Sequence, residues 1–443
     1  MQDTQDGFVN IATLFNEKER RTVDDLRQIY DDHELLLSVA EKLAGSILTD
    51  SRIANKKILL KPNWVKQPFR QYDDICLCTH NNFILAVLEL VLKRKPASVL
   101  IGDAPIQGCY WERLITPHFI DAVQLLSEKY RVPVAIRDFR RVFFDTVTNR
   151  LDDQRNPMSD YIIFDVGKQS YLEPITVPGK KNFRVAQYNP DKFSETHRPG
   201  MHKYCIIKEL FNADVVISLP KIKTHQKTGI TGALKNIVGF NGDKDYLPHH
   251  RVGGTKMGGD SYPGKNRVRY WAELAMDNAN RNMGNIWYKI WFKISTSLWA
   301  LSLPGKEHQW HAAWYGNDTT WRMVMDLNLI INYGREDGTL ADTPQRFLYS
   351  FCDAIVGGQG DGPLSPDPLN MGVMSFTDDS TTNDICMAIL MGLPLDRLPL
   401  LTAAKSFMPH RKVSVSLNGE PIKTDSLYQY AVKAIPSPGW QFV

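Results

Sequence analysis

One stretch, Asp214 to Phe240 (DVVISLPKIKTHQKTGITGALKNIVGF), limits what this chain can fold into more than any other. Its opening apolar run, Val215 to Leu219, predicts a strand buried on both faces, as in a parallel sheet covered by helices. A cationic turn follows at once: Pro220, Lys221, Lys223, Thr224, His225, Lys227 and Thr228. Gly229, Thr231 and Gly232 then lead into Ala233-Leu234-Lys235-Asn236, the start of a helix that should end near Gly239. A strand end, a glycine-bearing turn and a helix N-terminus together form a place where an anion meets backbone N–H groups and the helix dipole. Several lysines and a histidine around such a turn repel one another. A negatively charged ligand accounts for them; a merely solvated turn is the bland alternative.

The rest of the chain repeats this grammar. Ile58-Leu59-Leu60 reads as a buried strand that stops at Lys61-Pro62-Asn63, and Ser98 to Ile101 as another that stops at Gly102-Asp103. Helical periodicity fills Phe83 to Leu92 and about 117–129, with a third strand at Val132–Ile136. The β-α-β-α-β order predicts a doubly wound α/β fold, its sheet mostly parallel with helices on both faces. Lys61, Asn63 and Asp103 would then share the strand-end edge with the cationic turn, where such sheets bind ligands.

Five portions can be marked off: 1–139, a first α/β portion; 140–205, an irregular insertion that could act as a lid; 206–260, the core strand-turn-helix with a basic loop; 261–345, a Trp-rich helical section; and 346–443, a C-terminal α/β portion. In the last, Phe351–Val356 reads as a strand running into a glycine turn with Gly360, Asp361 and Gly362. Val413–Leu417 reads as a half-buried strand followed by an Asn418-Gly419 hairpin turn. The basic loop carries His249 and His250, mobile-looking and placed to be metal ligands or surface residues. Seven of the ten tryptophans fall between 271 and 321. Within that section, residues 286–303 form an aromatic, cationic helix for burial, a homo-oligomer contact or a membrane surface.

Composition narrows the partners. The net charge is only +4, far from the basic excess of a nucleic-acid binder, so no nucleic acid is expected. The six cysteines show no cluster-binding spacing, so no iron–sulfur cluster is expected, and free thiols fit a reducing compartment. The polar N-terminus does not read as a signal peptide, which makes cytoplasm the expected location, with peripheral membrane contact left open.

Several segments resemble the bacterial and archaeal family described as domain of unknown function 362. They are ILLKPNWV (58–65), SVLIGDAP (98–105), ADVVISLPKIKTHQKTGITGALKNIVGF (213–240), WRMVMDLN (321–328) and DAIVGGQGDGP (353–363). Some members of that family carry a ferredoxin-like module, which has no counterpart here, and Gln359 stands where an acidic residue is often found. A more distant resemblance is to lactate racemase and its relatives, which use a nickel-pincer nucleotide. His225, Gly229, Thr231, Gly232 and Lys235 match the spacing of their core motif. That resemblance implies a proton-handling histidine, a cofactor-holding lysine and a later nickel-ligating histidine, for which His249 or His250 could stand.

Three functions remain open at this point. In the first, an enzyme binds a small anionic metabolite, a carboxylate or phosphate, and uses acid–base chemistry. His225, Lys235 and Asp103 are its candidate catalytic groups. Lys61, Asn63, Lys221, Lys223, Thr224, Thr228, Gly229, Thr231, Gly232, Asn236, Gly360, Asp361 and Gly362 are its candidate substrate-binding residues. In the second, a non-catalytic binding or assembly protein docks through the Trp-rich helix. In the third, a divalent metal held by His225, His249 or His250 with Asp361 or Asp384, or a nickel-pincer cofactor, supports racemase- or epimerase-like chemistry, with the cofactor itself not specified by the sequence.

Overall fold

The computed structural model describes residues 6–14, 22–148, 150–152, 154–186, 188–302, 310–407 and 411–440, and the side chains of these except 310 and 407. Leu303, at the end of the expected Trp-rich helix, lies outside them. An 11-stranded mixed sheet organises the chain. Its strands are β1 (Gly7–Thr13), β2 (Lys57–Pro62), β3 (Ser98–Asp103), β4 (Val134–Asp138), β5 (Val215–Leu219), β6 (Lys221–His225), β7 (Gly229–Thr231), β8 (Phe347–Asp361), β9 (Ser365–Thr377), β10 (Val413–Leu417) and β11 (Glu420–Pro421).

The order across the sheet is β11-β10-β1-β9-β8-β5-β2-β3-β4, and β6 pairs off this path with β7 and β8. The β8-β5-β2-β3-β4 block is parallel, as expected for a doubly wound fold. Strand order advances from β2 to β4 on one side and jumps to β5 on the other. The switch point therefore lies between β2 and β5, at Pro62–Asn63 and Leu219–Pro220.

Alternation along the central strands divides the core into two layers. Ile58, Leu60, Val215, Ile217 and Leu219 face a layer with Leu36, Phe83, Leu88 and Phe119. Leu59 and Val216 face the opposite layer, with Phe164, Tyr204, Leu234, Leu327 and Ile389. On the first face, α1 (Asn81–Leu92) starts where the His80 ring accepts from Asn82 N, and it buries nearly every side chain. The Asp73–Leu92 segment is long and apolar enough to cross a membrane, but 83% of its most apolar window is buried inside the fold. On the second face, α2 (Thr320–Tyr333) and α3 (Ser380–Leu390) pack against the short helix at Ala233–Asn236.

Three segments differ from the sequence reading. Residues 140–205 are more ordered than expected: Tyr161–Asp165 and Met201–Ile207 pair as antiparallel strands, and Phe164 and Tyr204 join the core. The expected turn at Gly360, Asp361 and Gly362 is the far end of a long hairpin, because Gly357 to Asp361 keep pairing with β9 down to Asp361↔Ser365. Those glycines serve close packing: a Cβ on Gly362 would sit 2.0 Å from the Thr224 carbonyl oxygen. The Ile286–Leu301 helix is mostly exposed, with only Ser295 and Trp299 buried.

Candidate functional site

The strand ends at the switch point are tied together by Asn236. Its Nδ2 donates to the Lys61 carbonyl (3.0 Å) and to Ser218 Oγ (2.8 Å), joining β2 to β5. Its Oδ1 accepts from Lys61 Nζ and Asn63 Nδ2, both at 3.2 Å. Asp103, at the end of β3, closes the same corner. One oxygen pairs with Lys61 Nζ at 2.8 Å and accepts from Ala104 N; the other accepts from Trp64 N at 2.7 Å. Both Asp103 oxygens, expected to belong to a catalytic group, are thus committed to neighbours that clamp the corner. Asn236 likewise serves the scaffold. Asn63 differs, because its Oδ1 is buried without a hydrogen-bond partner.

Gly239 permits this corner. A Cβ there would lie 1.7 Å from Asp103 Oδ1 and 2.7 Å from Lys61 Nζ. Replacing Gly239 with Ala should cost roughly 1–3 kcal/mol by overpacking, read as a lowered urea midpoint at unchanged slope.

The turn after β5 is not a backbone anion cradle. Lys221 to His225 and Gly229 to Thr231 form a β-hairpin with the register Lys223↔Thr231, Thr224↔Ile230 and His225↔Gly229. Charged side chains on every other residue had masked the strand pattern. The helix that follows is four residues long, and its first N–H groups already have an anion. Asp384, fully buried at the start of α3, accepts from Ala233 N at 2.7 Å and Leu234 N at 2.9 Å. Gly232 makes room for that carboxylate, since a Cβ would approach Asp384 Oδ1 to 2.3 Å. Burial pushes the Asp384 carboxyl up to about 6 while these N–H bonds oppose it. Gly229 has φ +76° and makes room for Leu398 and Trp440 instead of a ligand.

Several other candidates also serve the scaffold. Lys221 Nζ is wholly buried, 2.9 Å from Asp353 Oδ2 and 2.9 Å from Tyr30 OH, and Tyr30 OH donates to Asp353 Oδ1 at 2.6 Å. Its charge is balanced by a carboxylate. Thr224 Oγ1 donates to the Gly360 carbonyl (3.1 Å), and Thr228 Oγ1 to the Ile230 carbonyl (2.8 Å). Asp361 is exposed and accepts from Gln226 Nε2.

What remains is a cluster of lysines with no carboxylate in ion-pair contact among the described residues, although Asp260 and Glu273 act on Lys227 and Asp103 and Asp243 on Lys244 from farther away. Among the described residues, Lys223, Lys227, Lys235 and Lys244 have no ion-pair partner. Lys223 donates to the Leu77 carbonyl, Lys227 to the His311 carbonyl and Lys244 to the Asn241 carbonyl at 3.3 Å. Lys235 Nζ has no partner at all among the described residues, and its side chain is partly exposed. Burial, followed by repulsion from Lys223, Lys244, Lys227 and Lys61, lowers the Lys235 amine to about 7. Burial also brings Lys223, Lys227 and Lys244 down to about 8. An ammonium group in such company loses its proton easily, and an anion placed among them would restore it.

Two histidines belong to the same cluster. His225 Nδ1 accepts from Lys227 N (3.0 Å) and Thr228 N (3.3 Å), which leaves the ring proton on Nε2. His249 has the opposite arrangement: its Nδ1 lies 2.7 Å from the Leu247 carbonyl and donates to it, leaving an open lone pair on Nε2. Burial, then the nearby Lys235, holds both rings well below the usual histidine range. His225 is therefore a neutral N–H donor rather than the near-neutral titrating group expected. His249 is a neutral acceptor.

The sequence offers His249 or His250 as a metal-ligating histidine, and the two rings lie apart. His250 turns the other way, toward His311 (ring centroids 5.8 Å apart) and a small cavity lined also by Arg184, Glu273 and Asn280. Among the described residues, no group of three His, Cys, Asp or Glu side chains is placed to hold a metal ion.

Lys227 and Lys244 join the cluster although the leading candidates did not include them; the run of basic residues from 221 to 251 was their only signal. Asp384 is named by the sequence reading only as a candidate metal ligand, not as a partner of the Ala233–Asn236 helix. Its contact with the helix spans 151 residues of sequence.

No curated protein matches the chain. A crystal structure of a Thermotoga maritima protein, a structural-genomics target, is similar with a TM-score of 0.33 and 10% identity, covering 83% of this chain. The chain spans 57% of the length of that protein. The family model described as domain of unknown function (DUF362) matches residues 168–388, which include the hairpin, the four unbalanced lysines, both histidines and the Asp384 cap. The chain belongs to the DUF362 family.

Proposed function

We propose that this chain is an enzyme that binds a small, multiply charged anion, a carboxylate or phosphate compound, and carries out proton transfer on it. The observation behind this reading is the unpaired amine of Lys235 amid four like-charged neighbours. Mutual repulsion there is a cost without a structural return, unless a ligand offsets it. Lys223, Lys227 and Lys244 neutralise the anionic group. Lys235, with its amine poised at about 7, is matched to proton abstraction at neutral pH.

In the step proposed, the Lys235 amine takes a proton from the substrate carbon next to a carbonyl or carboxylate and becomes an ammonium. The electron pair of the broken C–H bond moves onto the oxygen, which receives a hydrogen bond from the neutral His225 Nε2–H. Neutral imidazole suits this task, since its N–H polarises an oxygen without first surrendering a full charge. His249 Nε2 accepts a hydrogen bond from a substrate hydroxyl, with no proton transferred. Return of a proton to the same face restores the substrate with its hydrogen exchanged against solvent, and delivery to the opposite face gives the epimer.

The test is proton exchange in D₂O, followed by NMR on 2-hydroxy acids, 2-oxo acids and their phosphorylated analogues. Wild-type protein should place deuterium at the carbon beside the carbonyl or carboxylate, faster as pH rises through 7. Lys235→Met should reduce that rate by about 100-fold or more. No exchange on any of these compounds, or equal exchange by the variant, overturns the reading.

A further inference from the structure

The Arg267–Arg281 and Ile286–Leu301 helices form a hairpin, and its second helix leaves an apolar face uncovered. One side of that helix faces the protein: Ser295 Oγ donates to the Ala272 carbonyl (2.7 Å), Tyr288 packs edge-on to Phe144, and Trp299 lies against Tyr262. The other side carries Ile286 (66% exposed), Trp287 (56%), Ile290 (43%), Ile294 (39%) and Leu301 (79%). At 3.6 residues per turn, these five fall within one arc roughly 100° wide. Large side chains so aligned and so exposed mark a contact surface.

Charge indicates what covers it. Every charged residue between Asp277 and Glu307 is cationic. Arg281 is engaged with Asp191, while the exposed Lys289 and Lys293 border the apolar arc. Protein interfaces are depleted of lysine, whereas lysines beside a tryptophan- and isoleucine-rich stripe suit anionic headgroups above an acyl layer. We propose that this hairpin docks the protein onto an anionic lipid surface, with the Ile286–Leu301 helix lying in the plane of the membrane. The hairpin is also fastened to the cation cluster's surroundings. Glu273 on its first helix accepts from Gly253 N at 2.8 Å, and His311, beyond its second helix, holds Lys227.

Vesicle flotation of the full chain tests this. The protein should rise with vesicles of equal parts phosphatidylglycerol and phosphatidylcholine, and stay behind with phosphatidylcholine alone. The triple variant Trp287→Ser, Ile290→Ser, Ile294→Ser should lose flotation while keeping the wild-type melting temperature, since all three side chains are surface groups. Lys289→Gln and Lys293→Gln should each weaken binding about fivefold. Absence of flotation with the anionic vesicles overturns the proposal. So does a wild-type dimer, seen by analytical ultracentrifugation, that the triple variant dissolves, because the stripe then belongs to a second copy of the chain.

Discussion

Asp353→Ala should lower the stability of the folded chain by about 3–5 kcal/mol, the usual cost of stranding one member of a buried ion pair. Asp353 and Lys221 are both wholly inaccessible to solvent, and Asp353 also accepts from Tyr30 OH and from His80 N at 3.0 Å. Truncation leaves the Lys221 ammonium with Tyr30 OH as its remaining hydrogen-bond partner. Urea unfolding reads the loss directly. Replacing both partners, Lys221→Met with Asp353→Leu, should recover most of it, because no buried charge is then left without a partner. A loss below about 1 kcal/mol for the single variant would contradict the structural role assigned to Lys221.

Lys235→Met should act in the opposite sense on the empty protein. The folded value of Lys235, about 7, lies below the 10.5 of an unperturbed lysine. Between those limits the unfolded chain binds the extra proton, so this residue's contribution to stability rises with pH across the window. Its burden is greatest below pH 7. The variant should therefore be the more stable protein at pH 6, on the order of 1 kcal/mol after allowing for solvent screening of a partly exposed amine, with the advantage fading toward pH 10. Proton exchange on the substrate should move the other way, falling about 100-fold or more, while Lys223, Lys227 and Lys244 keep the anion bound. A variant that gains stability while losing exchange is the signature of a catalytic base. If Lys235→Met is destabilising at pH 6, the lysine is structural.

The contrast between Lys221 and Lys235 also shows what could be read from the sequence. Both lie in one short basic run, and composition gives no reason to separate them. The distinction comes from Asp353 and Tyr30, which are 132 and 191 residues from Lys221 along the chain. The central strands were legible because burial on both faces leaves apolar runs such as Ile58–Leu60 and Val215–Leu219. The β6–β7 hairpin was hidden by its lysines, which alternate as strand residues must but read as a cationic, anion-binding turn. Glycines misled for a related reason. At 229, 232 and 362 the missing Cβ makes room for Leu398 and Trp440, the Asp384 carboxylate and the Thr224 carbonyl, all protein groups supplied by distant sequence. A candidate location at the strand ends follows from fold class alone. Which cations remain unbalanced does not.

Calorimetric titration of pyrophosphate at pH 8, repeated in buffers of different ionisation enthalpy, tests that imbalance most directly. Lys223, Lys227, Lys235 and Lys244 lie at about 7–8 before the ligand arrives. An anion held by Lys223, Lys227 and Lys244 raises their values, so binding should draw at least one proton from the buffer. Binding with no proton uptake, or no binding at all, would contradict the claim that these lysines await an anion.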